Sequence, residues 1–184
     1  MHESEIKNIV EAILITATEP VSEKSLLTII GDGTAIKANE IKQALQSLQK
    51  EYNNRAFELL QVASGWQILT KEAYASWIND FRAHKPPKYS SATMETLAII
   101  AYKQPVTRSD IESIRGVSVS SQIIKSLQER EWIRTNGCRD VPGKPALYVT
   151  TNQFLDYFKL SSIHDLPSIE GLMVDDEERE LLTV

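Results

Sequence analysis

The sequence contains a single cysteine, Cys138, among 184 residues, which excludes an internal disulfide and any CxxC metal or redox motif. It has no run of 18 or more apolar residues, which a membrane-spanning helix would need. Acidic residues interrupt the apolar positions of residues 1–17, a pattern that a secretory signal does not tolerate. These absences predict a cytoplasmic protein that makes no contact with a membrane.

Residues for catalysis are equally scarce. The three histidines, His2, His84 and His164, lie far apart in the sequence and form no HxxxH or HExxH motif. A hydrolase that uses Cys138 would lack every partner residue it needs, so an incidental thiol is the favoured interpretation. The sequence therefore predicts that the protein is not an enzyme and that it holds no cofactor or metal ion.

The net charge of −5 is unevenly distributed along the chain. Residues 1–83 carry 8 basic and 11 acidic side chains, whereas residues 84–167 carry 11 basic and 8 acidic ones. The basic excess of the middle segment is smaller than a DNA-binding domain usually shows, because phosphate neutralisation supplies most of the affinity of such domains. Residues 168–184 carry 1 basic and 6 acidic side chains and no aromatic one, so this tail is expected to be disordered.

A proline-rich segment divides the chain near its middle. Residues 83–91 read AHKPPKYSS, in which two consecutive prolines prevent a helix from continuing and favour extended backbone. We therefore predict a first domain at 1–83, a linker at 84–90 and a second domain at 91–167, followed by the tail at 168–184.

The two predicted domains share a repeat at an offset of 85 residues. ILITATEPVSEKSLLTIIG, at 13–31, aligns with AIIAYKQPVTRSDIESIRG, at 98–116. Each copy contains a proline, then a hydroxyl residue that begins a helix, and a glycine that ends it. In the second copy, Thr107 and Asp110 have the spacing of a capping box, and Gly116 is the predicted helix stop. Two copies of one small fold are the simplest explanation.

Hydrophobic spacing predicts the same order of elements in both halves. Each half has two helices of the repeat, a third helix, a two-stranded hairpin and a closing helix. The later elements of the first half are predicted at about 39–53, 57–63, 66–70 and 72–81. Those of the second half are predicted at 118–130, 132–135, 146–150 and 152–158. The fold class is therefore mainly α (α+β), with two tandem winged-helix domains.

The first helix has more apolar surface than one small domain can bury. A winged-helix domain buries one stripe of its first helix, yet IKNIVEAILITA is apolar around much of its circumference. The surplus predicts a second interface, most simply that of a symmetric dimer. The candidate dimer contacts are Ile6, Ile9, Val10 and Ile13. The large aromatic residues Trp66, Trp77 and Trp132 are assigned to core or domain packing, with core favoured for each.

The helix predicted at 118–130 is poorly suited to reading bases. Its N-terminal face offers serine and glutamine rather than an arginine for guanine or an asparagine for adenine. Weak DNA contact would fall on three cations, one on this helix and two on the hairpin: Lys125, Arg139 and Lys144. Solvated charge is the favoured interpretation of each. A winged-helix transcription regulator is therefore the alternative hypothesis.

The first two helices of the second domain lie in LAIIAYKQPVTRSDIESIRGV, at 97–117. The predicted core positions are Leu97, Ile100, Ile111 and Ile114. The remaining aromatic and cationic side chains would form a patch with the composition of a protein-binding surface. This candidate patch comprises Tyr102, Lys103, Arg108 and Arg115. Solvated side chains, with Arg115 complementing the helix dipole, are the simpler alternative.

Several segments resemble those of a known family. METLAIIAYKQPVTRSDIESIRGVSVS, RDVPGKPALYVTT, FLDYF and HDLP are similar to segments of bacterial segregation and condensation protein B. ASGWQILTKEAYASWI resembles a strand-and-helix segment of the same family, and the resemblance extends over residues 5–167. Three positions differ from the usual residues: Glu131 replaces a glycine, Lys144 an arginine and Cys138 a basic residue.

The resemblance implies two winged-helix domains and homodimers that form through the N-terminal one. It also implies that the dimer binds the kleisin subunit, segregation and condensation protein A, with the candidate patch of the second domain as its site. Because that kleisin bridges the heads of a structural-maintenance-of-chromosomes ATPase, the implied role is chromosome condensation and partition. The implied complex is cytoplasmic and nucleoid-associated, and this subunit would contact DNA only indirectly or weakly.

Overall fold

The computed structural model describes residues 2–31, 36–82 and 89–168. Its first half contains α1 (Glu3–Thr16), α2 (Glu23–Gly31), α3 (Ala38–Glu51), β1 (Phe57–Val62), β2 (Gly65–Thr70) and α4 (Ala75–Arg82). Its second half contains α5 (Ser91–Lys103), α6 (Arg108–Arg115), α7 (Ser121–Glu129), β3 (Ile133–Cys138), β4 (Ala146–Thr150) and α8 (Asn152–Tyr157). This order of three helices, a hairpin and a further helix confirms the tandem winged-helix fold. Most of the predicted linker and all but the first residue of the predicted tail lie outside the described residues, so the domain boundaries stay predictions.

The core of the first half forms where α1 packs across α3. Residues four apart lie on one face of a helix, and the buried side chains of α1 follow this spacing at Ile6, Val10 and Leu14. The side chains of α3, Leu45 and Leu48 among them, complete the core. Ile6 and Val10 therefore belong to the interior of their own domain, which corrects their assignment to a dimer surface.

A single residue before the second helix of each domain pairs with the hairpin through an isolated β-bridge. Val21 exchanges two backbone hydrogen bonds of 2.9 Å with Trp66 of β2, and Val106 pairs with Tyr148 of β4 in the same way. Val21 and Val106 are equivalent positions of the 85-residue repeat, so the repeat extends from sequence to structure. A Cβ atom on Gly65 would lie 2.4 Å from the carbonyl of Val21, so the close approach of the Val21 backbone requires glycine.

The helices of the second half begin at residues whose hydroxyl oxygens accept backbone hydrogen bonds. Ser90, Thr107, Ser120 and Thr151 are the N-caps of α5, α6, α7 and α8. Thr107 and Asp110 form the predicted capping box, and Gly116 ends α6 in the left-handed conformation with φ of 71°. These local predictions are confirmed, because each depends on contacts between residues close in the sequence.

Two core predictions are wrong. Trp66 and Trp132 are buried, but Trp77 on α4 is 68% exposed. Leu97, Ile100 and Ile111 are buried, whereas Ile114 is 54% exposed.

The segment predicted as one closing helix at 72–81 is a 3-10 turn, Glu72–Tyr74, followed by α4, and no α4 residue with a described side chain is buried.

The turn of the first hairpin contacts the second domain. The backbone N–H of Ser64 donates to Asp156 Oδ1 at 2.9 Å, and the N–H of Ala63 donates to the carbonyl of Leu160 at 3.0 Å. Asp156 lies in the last turn of α8 and Leu160 follows the helix, so the tip of one domain's hairpin packs against the C-terminal end of the other domain's closing helix.

Candidate protein-binding surface of the second domain

The C-terminal end of α5 carries two residues of the predicted patch. Lys103 is exposed, and the half-buried Tyr102 donates a hydrogen bond of 2.7 Å from its hydroxyl to the carbonyl of Pro167. A groove runs between the end of α5 and the last described segment of the chain. Its lining includes Ala101, Tyr102, Gln104, Ile163, Leu166 and Pro167. A tyrosine in a groove with both apolar and polar lining is compatible with a protein-binding surface, because aromatic residues are enriched at such surfaces.

Arg115 lies inside this region rather than on its surface. Its guanidinium Nη2 is 3.0 Å from Glu95 Oε2 of α5, and its side chain is only 8% exposed. One turn of helix places Arg115 above the buried Ile111, on the side of α6 that faces α5. The exposure of Ile114 has the same cause, because its side chain points away from α5. Arg115 therefore joins two helices and offers little area to a partner.

Arg108 holds the loop that connects α6 to α7. Its guanidinium donates to Glu112 of α6 at 3.0 Å, to the Ser121 hydroxyl at 3.1 Å and to the carbonyl of Val119. Glu112 in turn accepts the backbone N–H of Val119, and this bond and Arg108 lower the pKa of the Glu112 carboxyl. These three hydrogen bonds anchor Arg108 inside the domain, but its side chain is still 44% exposed, so its contact with a partner stays a prediction.

Arg139 connects the wing to the start of α6. Two parallel hydrogen bonds, of 2.9 and 2.7 Å, join its guanidinium to the two carboxylate oxygens of Asp110. Asp110 also accepts the backbone N–H of Thr107 at 2.8 Å. The bonds from Arg139 and Thr107 lower the pKa of Asp110 from 3.8 to about 2. A cation bound in this way cannot turn to a DNA phosphate without giving up its carboxylate.

The other two predicted DNA contacts lie in different elements, and only one of them is paired with a carboxylate. Lys125 pairs with Glu129 one turn along α7, at 3.5 Å. Lys144 is exposed in the loop between β3 and β4, with a positive φ of 36°. Of the three predicted DNA contacts, Lys144 is therefore the one without an ion pair among the described residues, and it could contact a DNA phosphate.

An aromatic cluster that the sequence did not predict surrounds the buried Trp132. The rings of Tyr89 and Tyr157 lie 5.2 and 4.6 Å from the Trp132 ring, and their hydroxyl oxygens are 3.1 Å apart. Arg130 lies over the Tyr89 ring at 4.8 Å. The hydrogen bond with Tyr89 and burial raise the pKa of Tyr157. The members are scattered through the sequence, so only a tertiary contact could have revealed them.

Neither a metal centre nor a membrane span is present among the described residues. No group of three or more histidine, cysteine, aspartate or glutamate side chains in residues 2–31, 36–82 and 89–168 could hold a metal ion. Within the same ranges, no helix combines the length and apolarity needed to cross a membrane.

The fold and this surface define a tandem winged-helix protein whose second domain offers a groove beside an aromatic and a cationic residue. The family model of the segregation and condensation complex subunit ScpB matches residues 8–169 of the chain. A segregation and condensation protein B homolog from Coxiella burnetii is 43% identical over 180 residues, which cover 98% of this chain and 86% of the relative. The chain belongs to the segregation and condensation protein B family, which confirms the resemblance.

Solved structures of family members are also similar to the chain. ScpB from Mycobacterium tuberculosis is 27% identical, and the match covers 87% of this chain and 98% of that one with a TM-score of 0.41. A dimer of a ScpB N-terminal domain complexed with a ScpA peptide is 20% identical and covers 42% of this chain and 95% of that one, with a TM-score of 0.39.

Proposed function

We propose that this chain is a non-enzymatic subunit of a bacterial condensin-like complex, in which its homodimer binds the kleisin subunit, segregation and condensation protein A. The homodimer stabilises the attachment of the kleisin to the heads of the SMC ATPase, and the complex condenses and partitions chromosomes at the nucleoid. Membership of the segregation and condensation complex family, over 162 residues from 8 to 169, is the observation that carries this proposal.

The second domain supplies the kleisin contact in this proposal. Of the four candidate residues, Lys103 and Arg108 are exposed and Tyr102 is half-buried, while Arg115 joins α6 to α5 behind them. In this proposal the kleisin segment lies in the groove next to Tyr102, and Lys103 favours an acidic residue of that segment. A kleisin segment that orders only on binding pays conformational entropy, so we expect modest affinity for the contact area.

Binding to the cognate kleisin tests the function itself. The full chain and the kleisin should co-elute in size-exclusion chromatography and give a saturable heat signal in titration calorimetry. If the wild-type chain does not bind its kleisin in either measurement, the proposed function is wrong.

A matched pair of variants tests the position of the contact. Tyr102→Ala combined with Lys103→Glu should raise the dissociation constant at least about tenfold, because truncation of an aromatic hot spot costs about 2 kcal/mol or more and about 1.4 kcal/mol already corresponds to a factor of ten. Lys125→Glu makes the same change of charge on an exposed helix surface of the same domain and should bind as wild type does. Tyr102→Phe separates the ring from the hydroxyl bond to Pro167. Undiminished binding by the double variant would move the site elsewhere and leave the function standing.

DNA binding distinguishes this proposal from a transcription regulator. Since Arg139 is engaged by Asp110 and Lys125 by Glu129, we expect weak, sequence-independent binding of duplex DNA that declines steeply with salt. Gel shifts across a salt series measure this. A sequence-specific complex that survives about 200 mM salt would favour the regulator instead.

A further inference from the structure

The turn of the first hairpin is bonded to the second domain through two neighbouring backbone groups. Its loop residues, Ala63 and Ser64, lie outside the pairing of β1 with β2, so their N–H groups are available to other acceptors. Ser64 donates to Asp156 Oδ1 at 2.9 Å, and Ala63 donates to the carbonyl of Leu160 at 3.0 Å. Both donors of the turn are thus satisfied by the other domain. We call these four residues the interdomain latch.

The C-terminal end of α8 places the two acceptors side by side. Lys159, beyond the last turn, takes the left-handed conformation with φ of 60°. The N–H of Lys159 donates to the carbonyl of Asp156 at 3.2 Å, and that of Leu160 donates to the carbonyl of Leu155 at 2.8 Å. These two bonds are those of a Schellman motif, which ends many helices. The motif fixes the Leu160 carbonyl close to the Asp156 carboxylate, where consecutive N–H groups of one turn reach both.

The two domains keep separate hydrophobic cores on either side of the latch. In residues 2–31, 36–82 and 89–168, no side chain belongs to both core clusters, and none of the ion pairs joins the two halves. An open cleft of about 540 Å³ adjoins the latch, and its lining includes Pro20 and Ser64 of the first domain and Asp156 and Tyr157 of the second. A contact made by hydrogen bonds beside a cleft lacks the large packed apolar area that holds domains rigidly together.

We infer that the interdomain latch opens and closes as a unit and sets the orientation of the two winged-helix domains. Its two donors belong to one tight turn, so a domain motion that breaks one hydrogen bond moves the other donor away as well. Each bond is exchanged for a bond to water on opening, so the closed state is favoured only modestly. Opening turns the groove beside Tyr102 relative to the first domain, and a partner that prefers one orientation shifts the equilibrium. The inference concerns the single chain and does not depend on the proposed kleisin.

Amide hydrogen exchange of the full chain, resolved by NMR, measures the latch directly. Asp156→Ala removes the acceptor of Ser64 and leaves the Leu160 carbonyl in place. A hydrogen bond to a charged group typically shifts an equilibrium by about tenfold or more. We therefore expect the amides of Ser64 and Ala63 both to exchange about tenfold faster in Asp156→Ala. The acceleration at Ala63 is the decisive result, because Asp156 makes no hydrogen bond to that amide and is remote from it in sequence.

Two control variants and one reference amide separate domain motion from unfolding. Asp156→Asn keeps an oxygen that can accept from Ser64, so it should accelerate exchange less than Asp156→Ala does. Asp140→Ala removes a carboxylate from the exposed wing of the same domain and should exchange as wild type does. The amide of Trp66 donates to the carbonyl of Val21 within the first domain at 2.9 Å. Its exchange should be the same in all variants.

Small-angle scattering of the full chain gives an independent measure of domain orientation. Ala63→Pro removes the second donor of the latch, and proline fits the first loop position of a tight turn. Asp156→Ala and Ala63→Pro should both increase the radius of gyration, because each variant populates the open state more. Asp140→Ala should scatter as wild type does.

Three results would overturn the latch. The first is a wild-type chain in which the Ala63 and Ser64 amides exchange without protection. The second is wild-type exchange at Ala63 in Asp156→Ala, since the two bonds would then open independently. The third is an equal acceleration at Trp66 and Ala63, which would mean that the amides are exposed by unfolding of the first domain. Kleisin binding is measured separately, so each of these results leaves the test of the proposed function unaffected.

Discussion

The link between the wing and α6 gives a prediction whose size can be worked out. Replacing Asp110 with asparagine keeps the shape of the side chain but removes the charge that Arg139 contacts at 2.7 and 2.9 Å. A pKa lowered from 3.8 to about 2 corresponds to roughly 2 kcal/mol of stabilisation at neutral pH. The Asp110 side chain is 31% exposed, so solvent screening reduces the expected cost of Asp110→Asn to about 1 kcal/mol.

Scanning calorimetry of the full chain at pH 7 measures this cost. A loss of about 1 kcal/mol lowers the midpoint of a domain of this size by about 4–8 °C. Asp140→Asn is the control, because it makes the same change of charge in the exposed wing beside Arg139. We expect the transition of the second domain to move in Asp110→Asn and to stay within about 1 °C in the control.

The pH dependence of the difference tests the cause. Because folding lowers the pKa of Asp110, its contribution is complete above about pH 4 and is lost as the pH falls through about 2. The difference in unfolding midpoint between wild type and Asp110→Asn should therefore decrease between about pH 4 and pH 2, which are close to the unfolded and folded pKa values of Asp110. Equal midpoints at pH 7, or a gap that widens on acidification, would refute the reasoning.

Two further predictions concern backbone conformation. Gly65→Ala should destabilise the first domain by about 2 kcal/mol, measured by thermal unfolding, because its Cβ would lie 2.4 Å from the carbonyl of Val21. Gly31→Ala, whose Cβ meets no described atom within 4 Å, should have a far smaller effect, and equal losses would contradict the steric argument. Glu131→Gly should stabilise the second domain by about 0.5 kcal/mol in urea titrations, because Glu131 follows α7 in the left-handed conformation with φ of 57°. Glu131→Ala retains that strain, so a similar gain there would count against the explanation.

Predictions from neighbouring residues were the most successful. Thr107, Asp110 and Gly116 begin and end α6 as expected, because a cap or a left-handed turn depends on groups within three or four residues. The repeat and the order of helices and strands followed from the spacing of apolar residues, which each element carries within itself. The family was identified from the same stretches, and its model matches residues 8–169.

Surface and core could not be separated from the sequence where the deciding contact is distant. Periodicity marks Ile6, Val10 and Ile13 alike as apolar, but only the position of α3 decides which of them it covers. Ile114 and Arg115 differ from expectation for a related reason, since α5 and Glu95 lie on the side of α6 that Arg115 faces.

The sequence by itself determined the two winged-helix units, the caps of α6 and the family, because short-range backbone geometry and hydrophobic period encode them. The tertiary structure alone decided which side chains remain available to partners. It engaged Arg108, Arg115 and Arg139 in contacts with residues 4 to 29 positions away, and left Trp77 and Phe81 exposed. The residue type of an arginine or a tryptophan does not reveal whether its side chain is bonded within the chain or exposed to a partner. Only the packing of the helices decides this.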